Sequence, residues 1–198
     1  WVNSTRLVAS VAEQLGGVDR PRPNGELYAI NADGSGSTQL FGYRANGDAG
    51  GSHIKRGAEK RFASAFVIDT IPGDDKNILV QTFDWANSEK APPSVEMLDV
   101  YTGKTRRIGV GPKMGASFVA DHRGQVRASL APDEALNEVM YVRSGEGAEW
   151  RVFNDPKTSK LTIRPLMFAR DNKHLYATVT RANQSDALYR IDVESGTK

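Results

Sequence analysis

The residues that could do chemistry are few. Three histidines, His53, His122 and His174, are spread over 198 residues that contain no cysteine. Without thiols there is no thiolate nucleophile, no cysteine zinc ligand and no disulfide framework. His122 and His174 fall in equivalent turns with no third metal ligand beside them, so they read as turn polar residues. His53 closes the glycine-rich run Gly47-Asp-Ala-Gly-Gly-Ser-His53, and Lys55-Arg56 with Lys60-Arg61 form the one basic cluster. Both read as loop residues. Asp74-Asp75 lacks the alternating oxygen ligands of a calcium loop, and turn chemistry accounts for it. Gly34-Ser-Gly36 lacks the strand-Gly-x-Gly-x-x-Gly-helix context of a phosphate cradle. Gly115-Ala-Ser-Phe-Val119 begins like a nucleophile elbow but ends in Val, and Gly-x-Ser-x-Gly occurs nowhere in the chain. No catalytic residue, metal or cofactor is expected here.

The elements that must carry these residues are strands. Leu27-Tyr-Ala-Ile30, Ile78-Leu-Val80, Val139-Met-Tyr-Val142 and Leu175-Tyr-Ala-Thr-Val179 are short apolar runs bounded by Gly, Asp, Asn or Ser. Helical character is confined to residues 133–138. The strands repeat. Leu98-Asp-Val-Tyr-Thr-Gly103 aligns with Ile191-Asp-Val-Glu-Ser-Gly196 and with Met140-Tyr-Val-Arg-Ser-Gly145, and Ile30-Asn-Ala-Asp-Gly34 fits with one residue fewer. Each predicts a strand ending in a tight turn whose glycine takes a positive φ. A second series, Asp74-Asp-Lys-Asn77, Asp121-His-Arg-Gly124 and Asp171-Asn-Lys-His174, leads into Ile78, Val126 and Leu175, which are 48 and 49 residues apart. Four strands in that period make a β-propeller blade, whereas a β-sandwich has no reason to repeat so.

The spacing predicts an all-β arc of about four four-stranded blades, near residues 1–43, 61–110, 113–155 and 161–198. Two are complete, the first lacks its innermost strand and the last its outermost. The start at Trp1 and the partial blades suggest a piece of a larger propeller, with open sheet edges able to self-associate. A formal charge of +2 is no footprint for nucleic acid, and no apolar run reaches membrane-spanning length. The compartment stays open, periplasmic, secreted or cytoplasmic.

Two classes of connection alternate. Short turns occupy residues 72–77, 101–104, 121–125, 144–148 and 171–174. Long loops are expected at residues 11–25, 44–60, 84–93, 131–137, 155–160 and 181–186. Long loops tend to be functional, so the rim they form is the expected binding face, lined by His53, Lys55, Arg56, Trp85 and Arg181. Trp150 is expected to pack between blades.

Glu26-Leu-Tyr-Ala-Ile-Asn-Ala-Asp-Gly-Ser-Gly36 resembles TolB-type and peptidase propellers. Gly51-Ser-His-Ile-Lys-Arg56, Val67-Ile-Asp-Thr-Ile-Pro-Gly-Asp-Asp75, Asp99-Val-Tyr-Thr-Gly-Lys104 and Val119-Ala-Asp-His-Arg-Gly-Gln-Val-Arg127 follow in order. The series resembles the N-terminal propeller of bacterial serine peptidases of the prolyl oligopeptidase family, over about residues 7–198. That resemblance implies a non-catalytic segment that docks on a C-terminal α/β-hydrolase domain and admits peptide substrates to it. The alternative is a TolB-like or WD-type protein-binding propeller with no enzyme attached.

Overall fold

The computed structural model describes residues 1–14, 16–17, 20–43, 61–87 and 90–196, and the backbone of 55–56. The strands are β1 (Arg6–Glu13), β2 (Arg22–Asn31), β3 (Thr38–Phe41), β4 (Lys55–Arg56), β5 (Ala63–Thr70), β6 (Asn77–Asp84), β7 (Ser94–Asp99) and β8 (Thr105–Val110), then β9 (Ser117–Ala120), β10 (Val126–Pro132), β11 (Glu138–Val142), β12 (Arg151–Asn154), β13 (Leu161–Phe168), β14 (His174–Arg181) and β15 (Ala187–Asp192). They form four sheets ordered β1-β2-β3-β4, β5-β6-β7-β8, β12-β11-β10-β9 and β13-β14-β15. The second and third are the two complete blades. The first has three antiparallel strands and a two-residue parallel addition, and the fourth has three strands.

The chain divides into two compact units, Trp1–Ser88 with Glu96–Arg107, and Glu89–Val95 with Ile108–Lys198. In the first unit, period-two alternation turns Leu27 and Ala29 of β2 toward Ala63 and Ala65 of β5 and Ile78 and Val80 of β6. Leu40, Phe41, Leu98 and Val100 complete a buried cluster. The two alanines leave room for the large side chains facing them. In the second unit Ala128, Met140 and Val142 meet Ile163, Phe168, Leu175, Ala177, Val179, Ile191 and Val193. Each large side chain buried in this way stabilises the fold by about 1.5–3 kcal/mol.

Three expectations need correction. Residues 11–25 are not all loop: β1 continues to Glu13 and β2 begins at Arg22, with Ala12 opposite Pro23. Pro23 is tolerated beside a register shift between Ser10 and Ala12, where the ladder is already interrupted. The stretch 133–138 is no helix: residues 133–137 form a turn closed by Asp133, whose carboxylate accepts the N–H of Ala135 and Asn137, and Glu138 begins β11. The helix among the described residues is instead α1 (Pro156–Ser159), capped by the Asp155 carboxylate with Pro156 in its first turn. Third, the repeated turn glycine takes positive φ at Gly103 and Gly196, but in the turn after β11 that conformation belongs to Gly147 rather than Gly145.

Aspartates close the turns. One carboxylate oxygen of Asp74 accepts the N–H of Lys76 and Asn77, that of Asp121 accepts Arg123 and Gln125, and that of Asp171 accepts Lys173 and His174. Asp99 and Asp192 do the same at the ends of β7 and β15. The backbone N–H groups of His174 and Lys173, then the His174 ring, hold the Asp171 carboxyl well below the usual carboxylate range. The N–H groups of Ser195 and Glu194 lower that of Asp192. A carboxyl whose pKa is lower folded than unfolded stabilises the fold above its unfolded pKa, and that contribution drains away as pH falls toward the folded value. The thermal midpoint is therefore expected to be level above about pH 5 and to drop from about pH 4 downward. A D171N/D192N variant should start lower at neutral pH and show a shallower acid slope. Equal slopes in the two proteins would refute the assignment.

Candidate functional site

The long-connection end of the first unit carries a shelf of aromatic rings. Antiparallel pairing of β5 with β6 sets Ala63 opposite Asp84, so the residues just beyond the pair, Phe62 and Trp85, meet at one end. The Trp85 N–H donates to the Phe62 carbonyl at 3.1 Å, and the two rings lie edge-on with centroids 6.3 Å apart. Tyr43, two residues past β3, tilts against Trp85 with centroids 5.2 Å apart. Phe62 is 62% exposed and Trp85 43%. Large apolar rings held at the surface mark contact sites, and Trp and Tyr are enriched among binding hot spots.

The shelf is held by Ser64 of β5, which packs in turn on Gly25 of the neighbouring sheet. The Trp85 indole N–H donates to the Ser64 hydroxyl at 2.9 Å. Ser64 lies directly over Gly25 of β2. A Cβ on Gly25 would fall 2.3 Å from the Ser64 Cβ, and Gly25 itself has a φ of +84°. Only glycine meets both conditions. Beneath Phe62, Arg61 forks onto Glu96, with Nη1 to Oε2 at 2.7 Å and Nη2 to Oε1 at 2.9 Å, and its guanidinium lies 4.7 Å over the Phe41 ring. Thr82 donates to the same carboxylate at 2.7 Å. Burial raises the Glu96 pKa, but hydrogen bonds from Arg61, Thr82 and Thr105 outweigh it and the group stays ionised. The site offers rings and hydrogen bonds, which suit binding.

The expected residues are distributed as follows. Trp85 is part of the shelf. Lys55 and Arg56 form β4, paired in parallel with Thr38 and Gln39, inside the stretch expected to be loop. His53 lies outside the described residues. Arg181 ends β14 opposite Leu161 in the second unit and is exposed. Tyr43 and Phe62 were missed. Their signal was position, since each sits within two residues of a strand end on the same rim as Trp85. The other two histidines serve turns, as expected. The His122 N–H donates to the Asn172 side chain at 2.9 Å and its Nε2 lies 3.1 Å from the Phe168 carbonyl. His174 Nδ1 lies 2.7 Å from the Asp171 carboxylate, which also accepts from Arg190 at 2.6 Å. Trp150 does link sheets, its indole N–H donating to the Val110 carbonyl of β8 at 2.8 Å.

No protein-family model matches the chain. No curated protein matches it either. Among solved structures, it is similar to the crystal structure of TolB from Acinetobacter baumannii, with a TM-score of 0.54 and 16% sequence identity, over 98% of this chain. The likeness takes in 40% of that chain, so the sequence spans well under half of it. Sheets of this kind in this order are β-propeller blades, and the fold is that of a β-propeller. The fold alone does not carry an activity.

The Gly25–Ser64–Trp85 stack makes a specific forecast. Gly25→Ala must displace Ser64 and adopt a disfavoured φ, at an expected cost of about 3 kcal/mol in urea denaturation. Ser64→Ala should cost under about 1 kcal/mol yet shift the Trp85 indole N–H resonance, because it removes one hydrogen-bond acceptor. An unmoved resonance in both variants would mean that the stack does not hold the ring.

Proposed function

We propose that this chain is a non-catalytic β-propeller module that binds protein or peptide at the aromatic shelf of Tyr43, Phe62 and Trp85. The observation that carries the reading is the pair of exposed rings, Phe62 and Trp85, with Tyr43 packed against Trp85 and the Trp85 indole held by Ser64 over Gly25. The Trp85 indole is anchored by its hydrogen bond to Ser64 before a partner arrives, so less is lost on binding. The TolB-like fold supports a binding role without specifying the partner. Phage-displayed peptides selected on the chain should protect residues near 43, 62 and 85 from hydrogen exchange. A W85A/F62A variant should lose at least about tenfold in affinity for a selected peptide while keeping its urea midpoint. Protection elsewhere, with affinity intact in the double variant, refutes the proposal.

A narrower reading makes the partner a C-terminal α/β-hydrolase domain, with the propeller restricting entry to peptides. The ordered series from Gly51-Ser-His-Ile-Lys-Arg56 to Val119-Ala-Asp-His-Arg-Gly-Gln-Val-Arg127 favours it. An enclosed active site selects by size. On this reading the chain by itself hydrolyses neither peptides nor esters. A parent protein carrying a Gly-x-Ser-x-Gly elbow should gain activity on folded proteins when the propeller is removed. The outer edge of β15, last in its sheet, is a further place for a strand of a second copy to add. Light scattering should then show a concentration-dependent dimer, and a strict monomer at high concentration counts against it.

A further inference from the structure

At the short-turn end of the second unit, a cleft of about 300 Å³ opens among Arg127, Val142, Arg143, Arg151, Val193 and Glu194. Its three arginines come from neighbouring strands. Arg127 lies on β10, Arg143 just past β11 with its N–H on the Arg127 carbonyl at 2.9 Å, and Arg151 on β12 opposite Val142. Arg127 and Arg143 are buried, at 8% and 6% exposure.

Their hydrogen bonds are incomplete. Arg127 donates from Nε to the Arg143 carbonyl and from Nη1 to the Asn172 carbonyl, and lies 3.6 Å from the Asp121 carboxylate. Arg143 donates from Nε to the Val126 carbonyl at 2.6 Å and stacks 4.6 Å over Trp150. Arg151 donates from Nη2 to the Val193 carbonyl. Among the described residues, Arg143 and Arg151 have no carboxylate within ion-pair distance. Among the described residues, Nη2 of Arg127, both Nη groups of Arg143, and Nε and Nη1 of Arg151 meet no acceptor. Among the described residues no buried side-chain nitrogen lacks a partner, so the unclaimed donors of Arg127 and Arg143 reach solvent.

We propose that this cleft is a carboxylate-binding site, where a single carboxylate of a peptide, from an acidic side chain or the chain terminus, bridges Arg143 and Arg151. Guanidinium forks match the two oxygens of a carboxylate, and a partly buried cation gains most from a counter-ion. Burial lowers the Arg143 pKa, and the charge of the exposed Glu146 acts in the opposite direction without outweighing it. Asp121 behind Arg127 and Glu194 on the lining trim the positive surplus. The cleft therefore suits a singly charged carboxylate better than a doubly charged phosphate.

The test is a titration of the whole chain followed through its arginine Nε–Hε resonances. Acetyl-glutamate amide and acetyl-leucine, which carry a side-chain and a terminal carboxylate, should shift Arg143 and Arg151 saturably, and whichever binds tighter identifies the source. Acetyl-glutamine amide should shift neither. R151Q should weaken binding by about tenfold or more, the loss of one charge-assisted contact. The glutamate-to-glutamine comparison decides the matter on the unaltered protein should R151Q fail to fold. Shifts that do not saturate, equal responses to glutamate and glutamine, or tighter binding of inorganic phosphate would each overturn the proposal.

Discussion

An aspartate side chain folded back onto the backbone N–H groups that follow it is the interaction on which this architecture rests. A four-stranded blade needs reversals of direction in quick succession, and each reversal strands amide groups that the sheet ladder cannot reach. Asp74, Asp121 and Asp171 meet that need between the first two strands of their sheets, and Asp99 and Asp192 after the third. With the turn length set by one side chain, the register of the flanking strands follows. Register in turn decides which residues face the core. Leu98 and Val100 in one unit, and Ile191 and Val193 in the other, reach their clusters because the aspartate between them fixes where the strand stops.

The same device explains what could be read from the sequence. The Asp-rich turns repeat at near-constant spacing because the chemistry of the turn repeats, and the fold class follows from that. Two features escaped. Pro23 and Gly25 read as loop, yet both lie in β2, since a register shift accommodates the proline and close approach to Ser64 requires the glycine. Gly145 looked equivalent to Gly103 and Gly196, but the turn after β11 is longer and moves the positive φ to Gly147. Local pattern carries turn residues well. It does not carry contacts between sheets.

The two candidate surfaces divide along the same line. Trp85 was legible because it sits in a long connection, where an exposed ring needs an explanation. Tyr43 and Phe62 became visible only once pairing of β5 with β6 brought separate strand ends together. The arginines of the second unit were wholly hidden, since Arg127, Arg143 and Arg151 are separated by unremarkable turn and strand sequence. Their proximity is a property of the ladder. Basic residues scattered along the chain become a site when consecutive strands stop at the same level.

Ser64 reaches Trp85 from β5 while Gly25, in the adjacent sheet, leaves the space that Ser64 occupies. The geometry of one exposed ring is thus written in three separate stretches of chain. Transplanting the connection after β6 onto another scaffold would carry the indole but not its orientation. Directed diversification of this surface for new binding would have to keep Gly25 and Ser64 constant and vary the ring-bearing positions around them. The connection is a cargo whose aim is supplied by the scaffold.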